Sequence, residues 1–327
     1  MYSNWGPLVS EFEDRLSDHF DLPLGGFVSA SSGTSALIGA ILATAGPATK
    51  ERPVAVMPAF TFVATAVAAE RCGYRPYFRD VNAESWMLDP NRLFMDRVDE
   101  IGVVIPVAPF GRPVRQAPWA AFKIRTNTPV VIDGAASFDR LAVEPAEFLG
   151  EIPVVLSFHA TKSFGTGEGG GVATTNTDLA QAIGQALNFG FHGARDSAVA
   201  SINGKMSEYH AAVGLAELDG WPLKLKVLQT VADIYRSSLA EKGILDRLVM
   251  TPDISSSYAL FKCCSPREGD AVMKALSRSG VGFRQWYGRG VHHQTHYSKS
   301  AHPLLPNTDD LLPRIFRSNR LGEVSGR

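Results

Sequence analysis

Short apolar stretches at 53–58, 77–81, 103–106, 129–133, 154–158 and 172–175 alternate with helical patterns along the chain. That alternation leaves few folds open. Residues 53–58 read as a buried strand, β-branched and closed at both ends by proline. Residues 129–133 read as an apolar strand ending in a carboxylate, Asp133. A helix is expected at 8–20, where Leu8, Phe12, Leu16 and Phe20 recur at helical spacing among charged residues. Another is expected at 36–45, after a run of small hydroxylated residues and Gly33. Strands alternating with helices predict a doubly wound α/β sheet of mostly parallel strands. In such sheets ligands bind at the carboxyl ends of the strands.

The residues predicted at that edge are chemically pointed. Val154-Val155-Leu156 ends in Ser157 and Phe158, and a single lysine, Lys162, follows in a loop of small, hydroxylated and glycine residues. A lysine held there and partly desolvated can form a Schiff base with a carbonyl. Pyridoxal phosphate is the common cofactor that uses such a lysine. Residues 59–62 place Phe62 after the strand at 53–58, and Asp133 ends another strand. The helix start at 31–35 offers free N–H groups and a positive dipole end to a phosphate. Each element also has an ordinary reading, as N-cap, turn aspartate or core phenylalanine. Gly165, Gly167 and Gly170 match G-x-G-x-x-G, but the residues after them read as strand, not helix, so a dinucleotide fingerprint is set aside.

Length and composition narrow the setting. A chain of 327 residues suggests a large domain with a smaller one. Apolar residues at 45% and charged residues at 20% are ordinary for a globular protein, and a net charge of −1 gives no field for nucleic acid or anionic membrane. Cys72, Cys263 and Cys264 suit neither a disulfide framework nor a CxxC metal site, and fit a cytoplasmic protein. No secretory signal or membrane span is read. After Gly193 helices are expected at 207–218 and 223–240 with Pro222 between, then strand, helix and strand over 258–264, 269–279 and 282–284. The division follows as a large domain at 1–222 and a small α+β domain at 223–327. His292 and His296 have ligand spacing for a helix, but no acidic residue or cysteine lies close by in sequence, so no metal is expected.

Several ordered motifs at family spacing make the chain resemble the DegT/DnrJ/EryC1/StrS aminotransferases, pyridoxal phosphate enzymes of fold type I. They are Ser32-Gly33-Thr34-Ser35-Ala36-Leu37, Pro58-Ala59-Phe60-Thr61-Phe62-Val63-Ala64-Thr65, Ile132-Asp133-Gly134-Ala135-Ala136, Ser157-Phe158-His159-Ala160-Thr161-Lys162, Gly167-Glu168-Gly169-Gly170 and Asn203-Gly204-Lys205-Met206-Ser207-Glu208. The resemblance runs from Asn4 to about Asp310. It implies that Lys162 anchors the cofactor, Asp133 pairs with its ring nitrogen and Phe62 stacks on the ring. Gly33, Thr34, Ser35 and Ser157 would hold its phosphate. Asn203 would reach the phosphate of a neighbouring subunit, which implies a homodimer with shared active sites. Arg284, Tyr287 and His292 would face the substrate. The implied reaction is amination of a nucleotide-linked keto-deoxy sugar, a 4-keto-6-deoxyhexose, with glutamate as donor, in amino-sugar and O-antigen lipopolysaccharide synthesis.

Two departures and two rivals accompany it. Ala136 stands where the family usually carries Gln or His near the cofactor's 3′-oxygen. Residues 314–320 read as polar and unlike the family, so the tail at 319–327 is expected to pack little, leaving the small domain short of its closing helix. A sugar dehydratase on the same scaffold carries histidine in place of the lysine, which Lys162 argues against. A degenerate regulatory member is the other rival.

Overall fold

The computed structural model describes residues 3–93, 98–285 and 287–318. Helix α1 (Pro7–His19) opens on Pro7, whose missing N–H is no loss at a helix start. It buries the stripe Val9, Phe12 and Leu16. One oxygen of Glu13 on this helix accepts hydrogen bonds from Ser29 N (2.7 Å) and Ser29 Oγ (2.6 Å) in strand β1 (Phe27–Ala30). Helix α2 (Gly33–Ala45) is apolar over most of its surface, and accordingly sits between the sheet and other helices. Next come β2 (Val54–Pro58), α3 (Ala64–Arg71), β3 (Arg75–Arg79), β4 (Ile101–Val104), α4 (Gln116–Thr126) and β5 (Ile132–Asp133). Two single turns, α5 (Phe138–Leu141) and α6 (Pro145–Phe148), lead to β6 (Val154–Ser157), β7 (Gly170–Ala173) and α7 (Thr177–Leu187).

β2 pairs in parallel with β3 and β4, and β5 with β6. Parallel bridges Val104↔Val130 and Val107↔Asp133 join these groups. β7 runs antiparallel to both β6 and β1. The order is therefore β3-β2-β4-β5-β6-β7-β1, with β7 alone reversed. This is the mostly parallel sheet expected from the alternating pattern. Strands β1, β4 and β7 are buried along their whole length, as a sheet covered on both faces requires. Strand β1 was not expected, because four buried residues between a glycine turn and a helix start show no alternation to read.

Burial of Glu13 pushes its carboxyl up to about 7, against hydrogen bonds from Ser29 that pull it down. A raised folded-state pKa means that stability is lost as pH rises through it. Gln at this position keeps an acceptor and has no charge to bury. Glu13→Gln should therefore gain about 1–3 kcal/mol over the parent at pH 8 and nothing at pH 4. Equal melting shifts at the two pH values would contradict this.

The helices expected at 207–218 and 223–240 are one continuous helix, α8 (Glu208–Glu241), with Pro222 inside it. An interior proline costs about 3 kcal/mol. Leu218, Trp221 and Leu228 are buried around it, each worth roughly 1.5–3 kcal/mol, and together they outweigh the break. The boundary expected at 222/223 thus falls within a helix. Strands β8 (Leu248–Met250) and β9 (Ala259–Lys262), helix α9 (Pro266–Arg278), strand β10 (Phe283–Arg284), helix α10 (Pro306–Leu311) and strand β11 (Ile315–Ser318) follow. They form a second, antiparallel sheet in the order β10-β11-β9-β8.

β11 lies in the stretch at 314–320 that read only as polar and unlike the family, and no strand was expected there. It pairs on both sides and buries Ile315 and Phe316. The expected loose tail at 319–327, and the missing helix inferred from it, lie outside the described residues. Among the described residues no helix is long and apolar enough to cross a membrane.

Candidate active site

β2, β5 and β6 run in parallel, so the residues after them meet at one edge of the sheet. They line a cavity of about 300 Å³ that contains Gly33, Thr34, Phe62, Asp133, Ser157 and Lys162, together with Arg284 and Tyr287 from the second sheet's side. A larger hollow of about 800 Å³ over β3, lined by Arg75, Tyr77 and Lys299, holds none of the expected residues.

Asp133 closes β5 and is 5% exposed. Its Oδ2 accepts from Thr65 Oγ1 at 2.7 Å and its Oδ1 from Ala135 N at 3.1 Å. Thr65 Oγ1 also lies 2.8 Å from Thr61 Oγ1. Burial raises the Asp133 carboxyl, while Thr65, Ala135 and the Lys162 charge oppose that rise. Lys162 sits on a tight loop between β6 and β7. Its N–H donates to His159 O at 2.9 Å, and Ala160 N to Gly167 O at 2.9 Å. Gly167 takes φ +86°, a conformation side chains rarely adopt, which closes the loop. Burial lowers the ammonium, the Asp133 charge raises it and the Arg317 charge lowers it further. The Asp133 charge is what chiefly opposes the lowering of Lys162, whereas Lys162 opposes the rise of Asp133 less than Thr65 and Ala135 do.

Helix α2 begins against β6. A Cβ on Gly33 would stand 2.8 Å from Ser157 Cβ, so glycine is what lets the helix start approach Ser157. Of the N–H groups that a helix start leaves without an intrahelical acceptor, the Ser35 one is taken by the Ser32 Oγ cap at 3.0 Å. The Ser35 hydroxyl is likewise engaged with those of Ser31 and Ser32. Gly33 and Thr34, not Ser35, face the cavity. Phe62 is 52% exposed at the cavity wall. Tyr287 Oη accepts from Phe110 N at 3.2 Å, and its ring packs on Phe60 and Phe110. Burial drives its phenol upward. Ala136 also lines the cavity.

Besides Ser35, two of the expected residues lie outside this cavity, and one of them, Asn203, was expected to serve a neighbouring subunit. Asn203 lies on an exposed loop, where its Oδ1 accepts from Lys205 Nζ at 2.7 Å. His292 is buried away from the cavity, its Nε2 3.0 Å from Asp309 Oδ1. Its place in the motif suggested a substrate-facing side chain. The backbone instead turns through Val291–His293, with Val291 N donating to Ala59 O. His296 reaches Glu70 at 3.2 Å rather than joining His292. Asp309 comes from far along the chain to within 4.8 Å of ligand atoms on His292 and His293, a grouping that sequence proximity could not show.

Reasoning from sequence assigned no role to Thr65, Tyr258 or Arg317. Thr65 was visible as the residue one helical turn beyond Thr61 in the Pro58–Thr65 motif. Tyr258 lines the cavity, and burial pushes its phenol up to about 12. Nothing in the local sequence marks Arg317, which the pairing of β10 with β11 sets opposite Arg284.

Residues 1–319 match the model of the DegT/DnrJ/EryC1/StrS aminotransferase family. Protein Rv3402c of Mycobacterium tuberculosis (strain ATCC 25618 / H37Rv) is 31% identical over 94% of this chain and 75% of its own length. A dTDP-4-amino-4,6-dideoxy-D-glucose transaminase of Shigella dysenteriae is 28% identical over 88% of this chain and 77% of its own. The crystal structure of DesI with its TDP-sugar product superimposes with a TM-score of 0.83 at 29% identity, covering 97% of this chain and 80% of DesI.

Proposed function

The chain belongs to the DegT/DnrJ/EryC1/StrS aminotransferase family, and on that premise we propose that it uses pyridoxal phosphate to aminate a nucleotide-linked keto-deoxy sugar, with glutamate as amino donor. The observation that carries this reading is the convergence of Lys162, Asp133, Phe62 and the α2 start on one cavity. The relatives named for dTDP- and TDP-linked sugars support the substrate class, with a 4-keto-6-deoxyhexose as the sugar.

The residues present suit the cofactor. A buried carboxylate and a buried amine share a cavity, and the missing Cβ of Gly33 leaves room beside Ser157. Lys162 would hold the carbonyl end, Asp133 the ring nitrogen, Phe62 a ring face, and Gly33, Thr34 and Ser157 the phosphate. When bound, the cofactor supplies an electron sink. The chain supplies the rest. A lysine lowered by burial is more readily uncharged near neutral pH, so it can take a proton from the substrate carbon and return one. Asp133, fixed by Thr65 and Ala135, offers a localised negative charge to a protonated ring nitrogen. Phe62 and Tyr287 give the cavity apolar walls. Ala136 offers no hydrogen bond where relatives carry Gln or His, so orientation near the cofactor's 3′-oxygen falls to other groups.

The test is spectroscopic and chemical. Pyridoxal phosphate added to the protein should give a near-visible band that glutamate shifts. Adding a TDP-linked 4-keto-6-deoxyhexose should then restore it and yield an amino sugar. A cofactor that binds without any response to glutamate would favour the degenerate reading.

A homodimer with shared sites completes the proposal. Its motive is Asn203, exposed and outside the cavity of its own chain, at the position where the family resemblance implies a reach to a second copy. Sedimentation should give a dimer, and Asn203→Ala should weaken cofactor retention about tenfold. A fully active monomer would exclude it.

A further inference from the structure

His292, His293 and Asp309 each bring one metal-ligating atom within 4.8 Å of the other two. His292 Nε2 lies 3.0 Å from Asp309 Oδ1, and His293 Nε2 lies 3.7 Å from the same oxygen. The first contact is a hydrogen bond. The second is too long to be one, so two imidazoles meet one carboxylate oxygen that bonds only one of them. Around a tetrahedral zinc, with ligands at about 2.0–2.2 Å, neighbouring ligand atoms stand roughly 3.3–3.6 Å apart. The two observed separations fall on either side of that range. The fold builds the grouping from two distant segments. After β10 the chain turns through Val291–His293, where Val291 N donates to Ala59 O. Gly290, at φ +92°, lets the His292 ring seat, since a Cβ there would stand 2.6 Å from its Cε1. Asp309 is carried on α10, whose residues Asn307 and Thr308 donate their N–H groups to Asp80 at 3.0 and 2.8 Å. Both arms are thus anchored by the fold itself. The His292 side chain is 1% exposed, whereas those of His293 and Asp309 are half exposed, so an ion can enter from solvent.

We propose that His292, His293 and Asp309 form a zinc site that ties α10 to the turn at Val291–His293, with water in the fourth position. Two imidazoles and one carboxylate suit zinc and its neighbours among the transition metals, not calcium or magnesium, which take oxygen ligands. A ligating imidazole must be neutral. Burial holds His292 below its ordinary range; Asp309 opposes that, and His293 and His302 add to it. His302 stands beside the group, its ring 5.4 Å from that of His292 and its Nδ1 donating to Pro303 O at 2.8 Å. On binding, the ion takes the place of the His292 Nε2 proton. That proton passes to Nδ1 of the same ring, a nitrogen with no hydrogen-bond partner. The site is independent of the reaction proposed above, since none of its three residues lines the Lys162 cavity. Its role is structural. The turn follows Tyr287, which does line that cavity, so the ion steadies the segment that carries this wall.

The experiment titrates tag-free, chelator-treated protein with zinc chloride in competition with a chromophoric chelator. One equivalent per chain is expected, with a melting temperature that rises as free zinc rises. His293→Ala and Asp309→Asn should each weaken binding at least about 10- to 100-fold, the range found even for residues that only hydrogen-bond a ligand. His293 is exposed, and asparagine keeps an acceptor for His292, so without zinc both variants should melt like the parent. His296 reaches Glu70 instead, so His296→Ala should bind zinc as the parent does. Cobalt(II) in place of zinc should give the visible absorption of a four-coordinate ion in the parent and lose it in the first two variants. A parent that takes up no zinc overturns the site, and so does uptake that His293→Ala and Asp309→Asn both leave unchanged. Uptake lost only in His296→Ala places the ion at Glu70 and overturns it as well.

Discussion

Replacing Lys162 by alanine will remove the near-visible band of the bound cofactor and reduce transamination by at least about 10³-fold, with the fold unchanged. Two losses combine in that figure. The covalent anchor goes, and so does the group that moves the proton, a role worth 10²–10⁴-fold by itself. The fold should tolerate the change because the loop is closed by backbone bonds, His159 O to Lys162 N and Gly167 O to Ala160 N, which alanine keeps. Removing the ammonium also deprives Asp133 of a compensating charge, so its carboxyl should rise further. The check is a paired measurement: circular dichroism and melting temperature close to the parent's, with no band and no keto acid formed from glutamate. Turnover near the parent's rate would remove Lys162 from the mechanism.

The sheet was legible because its strands are short, apolar and separated by helices. A chain so patterned has little choice but to stack them in parallel, and the carboxyl edge then collects Phe62, Asp133 and Lys162. What stayed hidden depends on contacts between distant segments. Pro222 looked like a break because proline disfavours a helix interior locally, yet the packing of Leu218, Trp221 and Leu228 is a tertiary fact. The stretch at 314–320 looked polar because Arg314, Arg317 and Arg320 dominate its composition, whereas Ile315 and Phe316 carry the burial of β11. Ser35 fell among plausible phosphate ligands because every N–H of a helix start is a candidate, and only the structure shows which one Ser32 caps. His292 was misplaced for the converse reason. Its motif fixes where the backbone passes but not the direction of the ring, which turns to Asp309. The pairing of Arg284 with Arg317 could not have been found from spacing, because the two are cross-strand partners far apart in sequence.

Asp133→Asn should leave cofactor binding largely intact and lower turnover by about 10²–10³-fold, the scale of losing one preorganised electrostatic partner. The amide is nearly isosteric. Its oxygen can still accept from Thr65 or from Ala135, so the end of β5 should hold its place. What it cannot do is carry negative charge. An ionised Asp133 favours a protonated ring nitrogen, and a protonated ring draws electrons from the reacting carbon far better than a neutral one. Asparagine removes that preference. The phosphate cradle at Gly33, Thr34 and Ser157 is untouched, which is why affinity should outlast activity. The variant also separates two explanations of the lowered Lys162. Without the Asp133 charge to raise it, the amine should fall further, so cofactor capture should extend to lower pH than in the parent. Measuring the capture rate between pH 5 and 9 in both proteins decides this. A profile shifted upward, or turnover within a few fold of the parent, would show that Asp133 does not act through its charge.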